Sequence, residues 1–270
     1  MRVVGIDISK NKIDGYCLPD NQSFQYSLNE LAEAVKKIQT LKPDWIILEA
    51  SGGYERPWVK ALQDVNLSVA VEHPLRQSYY RKVLGHLVKT DSQDAKALAC
   101  YALAHNDNLV NYCPKTEALQ SVCELVDRRN SLVEQQSAEK NRLQQSTPKS
   151  FVHGSMQRIL KQLEKEIIKI EKAIQTLISE DEALKKEQEL LMTVSGVAEK
   201  TTWSLLAYLP ELGKLNRKAI ASLAGVAPFQ QQSGQWHGKA CIKGGRAPVR
   251  KALYMATLTA VKYCPPIKAF

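Results

Sequence analysis

Four acids stand where carboxylate chemistry would need them. Asp7 closes the apolar run of residues 2–7 (RVVGID), Glu49 closes the run 45–49 (WIILE), and Asp91 and Asp94 lie three apart in KTDSQDAKALA, where a helical stretch opens. Acids at strand ends emerge at one end of a sheet, and residues i and i+3 share a helix face, so four carboxylates from three elements could converge. Such a cluster repels itself, raises its own pKa values and calls for cations, and hard oxygen ligands suit Mg²⁺ or Mn²⁺. Each acid also has an ordinary role open to it: Asp7 ends a strand, Thr90 or Asp91 caps a helix, and Asp94 in a first turn favours the helix dipole. Glu49, an acid closing an apolar strand, is the hardest to explain as scaffolding.

The second chemical feature is charge. Within residues 211–270 ten Lys or Arg (Lys214, Arg217, Lys218, Lys239, Lys243, Arg246, Arg250, Lys251, Lys262 and Lys268) face Glu211 as the lone acid, which accounts for the whole formal charge of +9. A basic surface concentrated in this way suits a polyanion, and a solubilising face is the plain alternative. The loop 230–245 mixes Gly234, Gly238, Gly244 and Gly245 with polar and basic residues, and glycine lets backbone approach phosphate closely.

The elements that must position these groups follow from periodicity. Strands are expected at 2–7, 12–18, 23–28, 45–49 and 67–72, and helices at 29–41, around 57–64 and from Pro74. Three successive strands followed by β-α units make a mixed α/β sheet. From about Thr116 the texture turns to long helices: Leu160, Leu163, Ile167, Ile170, Ile174 and Leu177 form a heptad seam, and an upstream helix stops near Pro148. The two helices could pair as a hairpin within the chain or between subunits. Short apolar helices are expected at 201–209, 219–224 and 249–261. The expected organisation is an α/β domain over 1–112, a helical coiled-coil arm over 113–188 and a mainly α, basic domain over 189–270. Six cysteines without CxxC or Cys/His spacing indicate neither zinc nor a disulfide framework. No apolar run reaches membrane length and no signal core is present, so a cytoplasmic protein with no membrane partner is expected.

The segments GIDISK, LEASGGYE and KTDSQDAKALA resemble the three acidic blocks of the insertion sequence 110 group of DEDD transposases, which includes the pilin-gene invertase. The stretches SGVAEKTTWSLLAYLPELG and LAGVAPFQQQSGQWHGKACIKGGRAPVRKALYMATLTA resemble the same group's second domain, so the likeness spans nearly the whole chain. It implies a ribonuclease-H-like, RuvC-like N-terminal domain whose Asp7, Glu49, Asp91 and Asp94 hold Mg²⁺ or Mn²⁺. It also implies that Ser233, in QQSGQ, is a nucleophile; a Ser before Gly in a polar loop is otherwise a turn residue. Lys89, Lys239, Lys243, Arg246 and Arg250 would hold phosphates, and Arg128, Arg129 and Arg142 on the arm are further nucleic-acid candidates whose plain reading is exposed helix surface. SGVAEKTT resembles a helix-hairpin-helix turn without that motif's Pro and second Gly. His73-Pro74 stands where the group has Asn-Pro, and its members commonly run some tens of residues beyond the equivalent of Phe270.

The reaction so implied is DNA strand transesterification through a covalent phosphoserine, by a prokaryotic, nucleoid-associated enzyme. Its implied partners are DNA, a structured guide RNA encoded by the element, and further copies of the chain as dimers pairing into tetramers. Three alternatives stand beside it: a hydrolytic RuvC-like nuclease or junction resolvase using the same acids, an invertase without guide RNA, and a non-catalytic nucleic-acid-binding protein.

Overall fold

A computed structural model describes residues 1–83, 91–230, 232–234 and 236–269, which divide into two compact units, Met1–Pro114 and Lys115–Phe270. In the first unit, β1 (Val3–Ile8), β2 (Lys12–Leu18) and β3 (Gln22–Ser27) form an antiparallel meander. After α1 (Leu31–Leu41) the chain enters β4 (Trp45–Glu49), then α2 (Arg56–Gln63) and β5 (Val69–Glu72). β4 pairs in parallel with β1, and β5 with β4, giving one five-stranded sheet in the order β3-β2-β1-β4-β5. Two further helices follow, α3 (Pro74–Val83) and α4 (Asp91–Ala104).

Strand alternation divides the sheet into two faces. Val4, Ile6, Ile8, Ile13, Ile46 and Leu48 point to one face and pack with Ile38 of α1 and Trp58 and Leu62 of α2. Val3 and Ile47 point to the other and meet Leu98, Ala99 and Ala102 of α4. Small residues let α4 lie close on the strands: Gly5 faces the backbone of Ala95 and Ala99, with no room for a β-carbon between them. The core face belongs to the even positions of β1, and Asp7 belongs to the face under α4.

The second unit is helical. α5 (Glu117–Gln145) opens on a Thr116 cap and α6 (Phe151–Glu180) on a Ser150 cap, each hydroxyl accepting a backbone amide. The two helices pack on one another within the chain, Val122 and Val126 against Ile174 and Ile178, and Arg129 of α5 bonds Glu171 of α6. These pairings run in opposite chain directions, so α5 and α6 form an antiparallel pair within the chain. α7 (Glu182–Met192) and α8 (Glu199–Tyr208) follow, and Trp203 and Leu206 of α8 join the same core. α9 (Arg217–Ala224) ends on Gly225 in the left-handed conformation. The glycine-rich segment then forms two small antiparallel pairs, β6 (Pro228–Phe229) with β9 (Cys241–Ile242) and β7 (Gln232–Ser233) with β8 (Trp236–His237). The sequence led to the expectation of a loop there; two-residue strands leave no readable alternation. α10 (Ala247–Tyr263) and α11 (Pro265–Ala269) complete the unit.

Candidate functional site

The parallel register sets Gly5 beside Ile47 and Ile6 beside Leu48, so Asp7 and Glu49 leave neighbouring strands at the same level and on the face under α4. α4 begins above them with Asp91 and Asp94 in its first turn, where acids also suit the helix dipole. All four predicted acids line one cavity of about 600 Å³, together with Ser9, Ser51, Ser78 and Arg81. Asp94 is buried, whereas the Asp91 side chain is half exposed. Among the described residues no three His, Cys, Asp or Glu side chains are drawn together into a finished metal cage. The acids share a cavity without being gathered at one point.

Their electrostatics bear the mark of crowding. Burial, and then the charges of Asp94, Asp91, Glu49 and Asp14, push the Asp7 carboxyl up to about 6 from the ordinary value of 3.8. That is the chemistry of a donor set that a hard divalent cation would relieve, and the residues present fit Mg²⁺ or Mn²⁺.

Three neighbours of these acids, Asp14, Lys12 and Arg81, carry no signal in the spacing. Asp14 is the register partner of Asp7 across β1 and β2, which places a fifth acid on the same sheet face. Lys12 Nζ donates to Asp91 Oδ2 at 2.8 Å and lies 3.0 Å from Asp14 Oδ2, and these hydrogen bonds raise the ammonium pKa above its usual value. Arg81 of α3 pairs with Asp94 at 2.7 Å. Glu55 is buried and accepts from the Ser51 amide at 3.0 Å, the Ser51 hydroxyl at 2.8 Å and the Gly53 amide at 2.9 Å. Burial pushes the Glu55 carboxyl up, yet its hydrogen bonds hold it below the ordinary range. It therefore organises the turn after β4 that carries Ser51 to the cavity wall. Its presence in the LEASGGYE block could have been noticed, but only the fold separates its role from that of Glu49.

Ser233 is the second residue of β7, paired with Trp236 across a tight turn through Gly234 at φ 57°. The predicted cations that follow it in the sequence divide into two groups. Lys239 and Lys243 are exposed. Arg246 is engaged internally, its guanidinium donating to both carboxylate oxygens of Glu211 and to the Tyr208 carbonyl. Arg250 donates to the carbonyls of Gly244 at 2.8 Å and Gly225 at 3.4 Å. The loop's ends are also pinned by contact between Gly225 and Gly245, whose backbones leave no space for a side chain at either position.

On the helical pair, Arg128 is exposed, Arg142 pairs with Glu139 at 2.8 Å, and Arg129 bonds Glu171 at 2.8 Å with its own side chain largely enclosed. Lys200 reaches the same Glu171 oxygen at 3.0 Å; burial raises that carboxyl's pKa, and the two cations more than offset it. Lys89 lies outside the described residues. Among the described residues no helix is long and apolar enough to cross a membrane.

Two family models match the chain. Residues 4–151 match a family of DEDD transposases of the IS110 type, described as Transposase, and residues 188–270 match the Transposase IS116/IS110/IS902 family. The pilin gene-inverting proteins of Moraxella lacunata and Moraxella bovis are each 28% identical over 263 residues, spanning 93% of this chain and 80% of theirs. A solved structure of T. thermophilus RuvC in complex with Holliday junction substrate aligns over 40% of this chain and 95% of its own, at 12% identity and a TM-score of 0.30, a likeness that decides nothing by itself.

Proposed function

The chain belongs to the IS110 family of transposases, enzymes of DNA recombination, and from that premise we propose that it cuts and rejoins DNA strands with two sets of residues, the acids around Asp7 and a nucleophile at Ser233. One observation carries the first half: Asp7, Glu49, Asp91 and Asp94, from two strands and a helix, line a single cavity. A sheet whose first three strands are antiparallel and whose next two run parallel to the first also supports the ribonuclease-H-like, RuvC-like reading of this unit.

Asp7, Glu49, Asp91 and Asp94 would hold Mg²⁺ or Mn²⁺, which when bound supplies polarisation of a scissile phosphate and offsets its developing charge. Ser233 Oγ attacks the phosphorus, a serine–phosphate bond forms, the bond from phosphorus to the 3′ oxygen breaks, and that oxygen leaves as a hydroxyl with the proton. A 3′ hydroxyl of the exchanged strand then displaces the serine and reseals the backbone. Lys239 and Lys243 hold phosphates beside the serine, while Arg246 and Arg250 keep the loop in shape. The acids and the serine fall in different compact units, so one active site can draw them from two copies of the chain, within dimers that pair as tetramers. An element-encoded structured RNA is the proposed guide to donor and target DNA; inversion without a guide is the alternative suggested by the pilin gene-inverting relatives.

The test is a suicide DNA substrate. A trapped phosphoserine adduct, lost in Ser233→Ala and in Asp7→Asn, is the expected result. Cleavage retained in Ser233→Ala would instead show water as nucleophile, a hydrolytic nuclease on the same acids. Sequencing the nucleic acid that copurifies tests the guide: a single defined RNA supports it, and DNA alone supports the invertase.

A further inference from the structure

We infer that Lys12 is a positioning residue of the acidic site, a built-in counter-ion that holds Asp91 and Asp14 in place when no divalent cation is bound and swings aside when one binds. The inference rests on the reading of the acids as a divalent-cation site, and it concerns a residue that the DEDD pattern does not contain.

The geometry behind it is specific. Lys12 opens β2, two residues before Asp14, and its side chain lies over the same sheet face as Asp14 and Asp7. Its ammonium bridges Asp14 Oδ2 at 3.0 Å and Asp91 Oδ2 at 2.8 Å, and so ties the strand-borne acids to the first turn of α4. The bridge places a positive charge between the first turn of α4, which bears Asp91 and Asp94, and a sheet end that bears Asp7, Glu49 and Asp14. Asp94 has a separate cation in Arg81.

The two cations differ in freedom. Arg81 and Asp94 side chains are 16% and 6% exposed, whereas those of Lys12 and Asp91 are 38% and 52% exposed. A flexible ammonium at the cavity rim can rotate into water at small cost, while the enclosed guanidinium cannot. A doubly charged ion facing several carboxylates outcompetes a single ammonium for Asp91. Lys12 therefore guards the fold of the metal-free protein and weakens metal binding by its competition.

The experiment compares the full chain with Lys12→Met, which keeps the apolar stem, and Lys12→Arg, which keeps the charge. Mn²⁺ binding is measured by calorimetry, and thermal unfolding is followed in EDTA. Lys12→Met is expected to melt lower in EDTA and to bind Mn²⁺ about two- to fivefold more tightly, the scale of one partly exposed ion pair. Lys12→Arg should restore both values toward the parent. In the unmutated chain, Mg²⁺ should increase acetylation of the Lys12 amine by acetic anhydride, read by mass spectrometry. Unchanged or weaker Mn²⁺ affinity in Lys12→Met, or Lys12 labelling indifferent to Mg²⁺, overturns the counter-ion role while leaving the metal site standing. Mn²⁺ binding that is absent from the parent, or unaffected by Asp7→Asn, overturns the metal reading and this inference with it.

Discussion

A β-carbon added to Gly5 would overlap the carbonyl oxygen of Ala95, so β1 and α4 meet there backbone to backbone. The contact lies two residues before Asp7 on one element and one residue after Asp94 on the other. It sets the height at which the helix-borne acids stand over the strand-borne ones.

Gly5→Ala should therefore push α4 off the sheet. The expected cost is about 1–3 kcal/mol, typical of an overpacked interior, read from urea unfolding. Recombination should fall further than stability alone accounts for, because Asp91 and Asp94 move with the helix. A variant with unchanged unfolding midpoint and activity would refute the contact.

Glu55→Ala should destabilise the first unit by roughly 1–3 kcal/mol, since the part-buried amides of Ser51 and Gly53 lose their acceptor. Divalent-cation affinity should also drop, because the turn carrying Ser51 loosens next to Glu49. Hydrogen exchange at the Ser51 and Gly53 amides reads the loosening directly, and protection equal to the parent's would count against it.

The Glu211–Arg246 pair gives the second unit a pH-dependent element. The hydrogen bonds from Arg246 hold the Glu211 carboxyl below its usual 4.5, against the opposing effect of burial. A lowered native value means the unfolded chain binds the proton first on acidification. Stability from the pair is thus complete above about 4.5 and is lost as pH falls through the native value. Glu211→Gln should flatten that acid limb and cost about 1 kcal/mol or less at neutral pH, the pair being partly solvated. An acid limb identical to the parent's in Glu211→Gln would remove this pair from the account.

Ile174 has no solvent exposure at the centre of the α5–α6 contact. Ile174→Ala should cost about 2–5 kcal/mol, seen as early melting of the helical signal. A loss that vanished at high protein concentration would point to pairing between chains instead of within one.

Much of this was legible in the sequence for definite reasons. Continuous apolar runs such as WIILE and the six-residue seam from Leu160 to Leu177 are strong signals, and the strand-end positions of Asp7 and Glu49 follow from the first kind. Asp14, Lys12 and Arg81 were not legible, because register and helix packing bring them to the acids. Glu55 was hidden by resemblance to its neighbour Glu49, although hydrogen bonds to its own turn engage it. The resemblance implies a phosphate role for Arg246 and Arg250; their internal bonds, to Glu211 and to the Tyr208, Gly225 and Gly244 carbonyls, are visible only in the fold.

The contact between Gly225 and Gly245 means that the segment between them starts and ends at nearly one point. Closing such a loop costs little more as it lengthens. The segment bearing Ser233 is in effect an exchangeable cassette: its length and chemistry can be rewritten between two fixed clasps while α9 and α10 stay where they are.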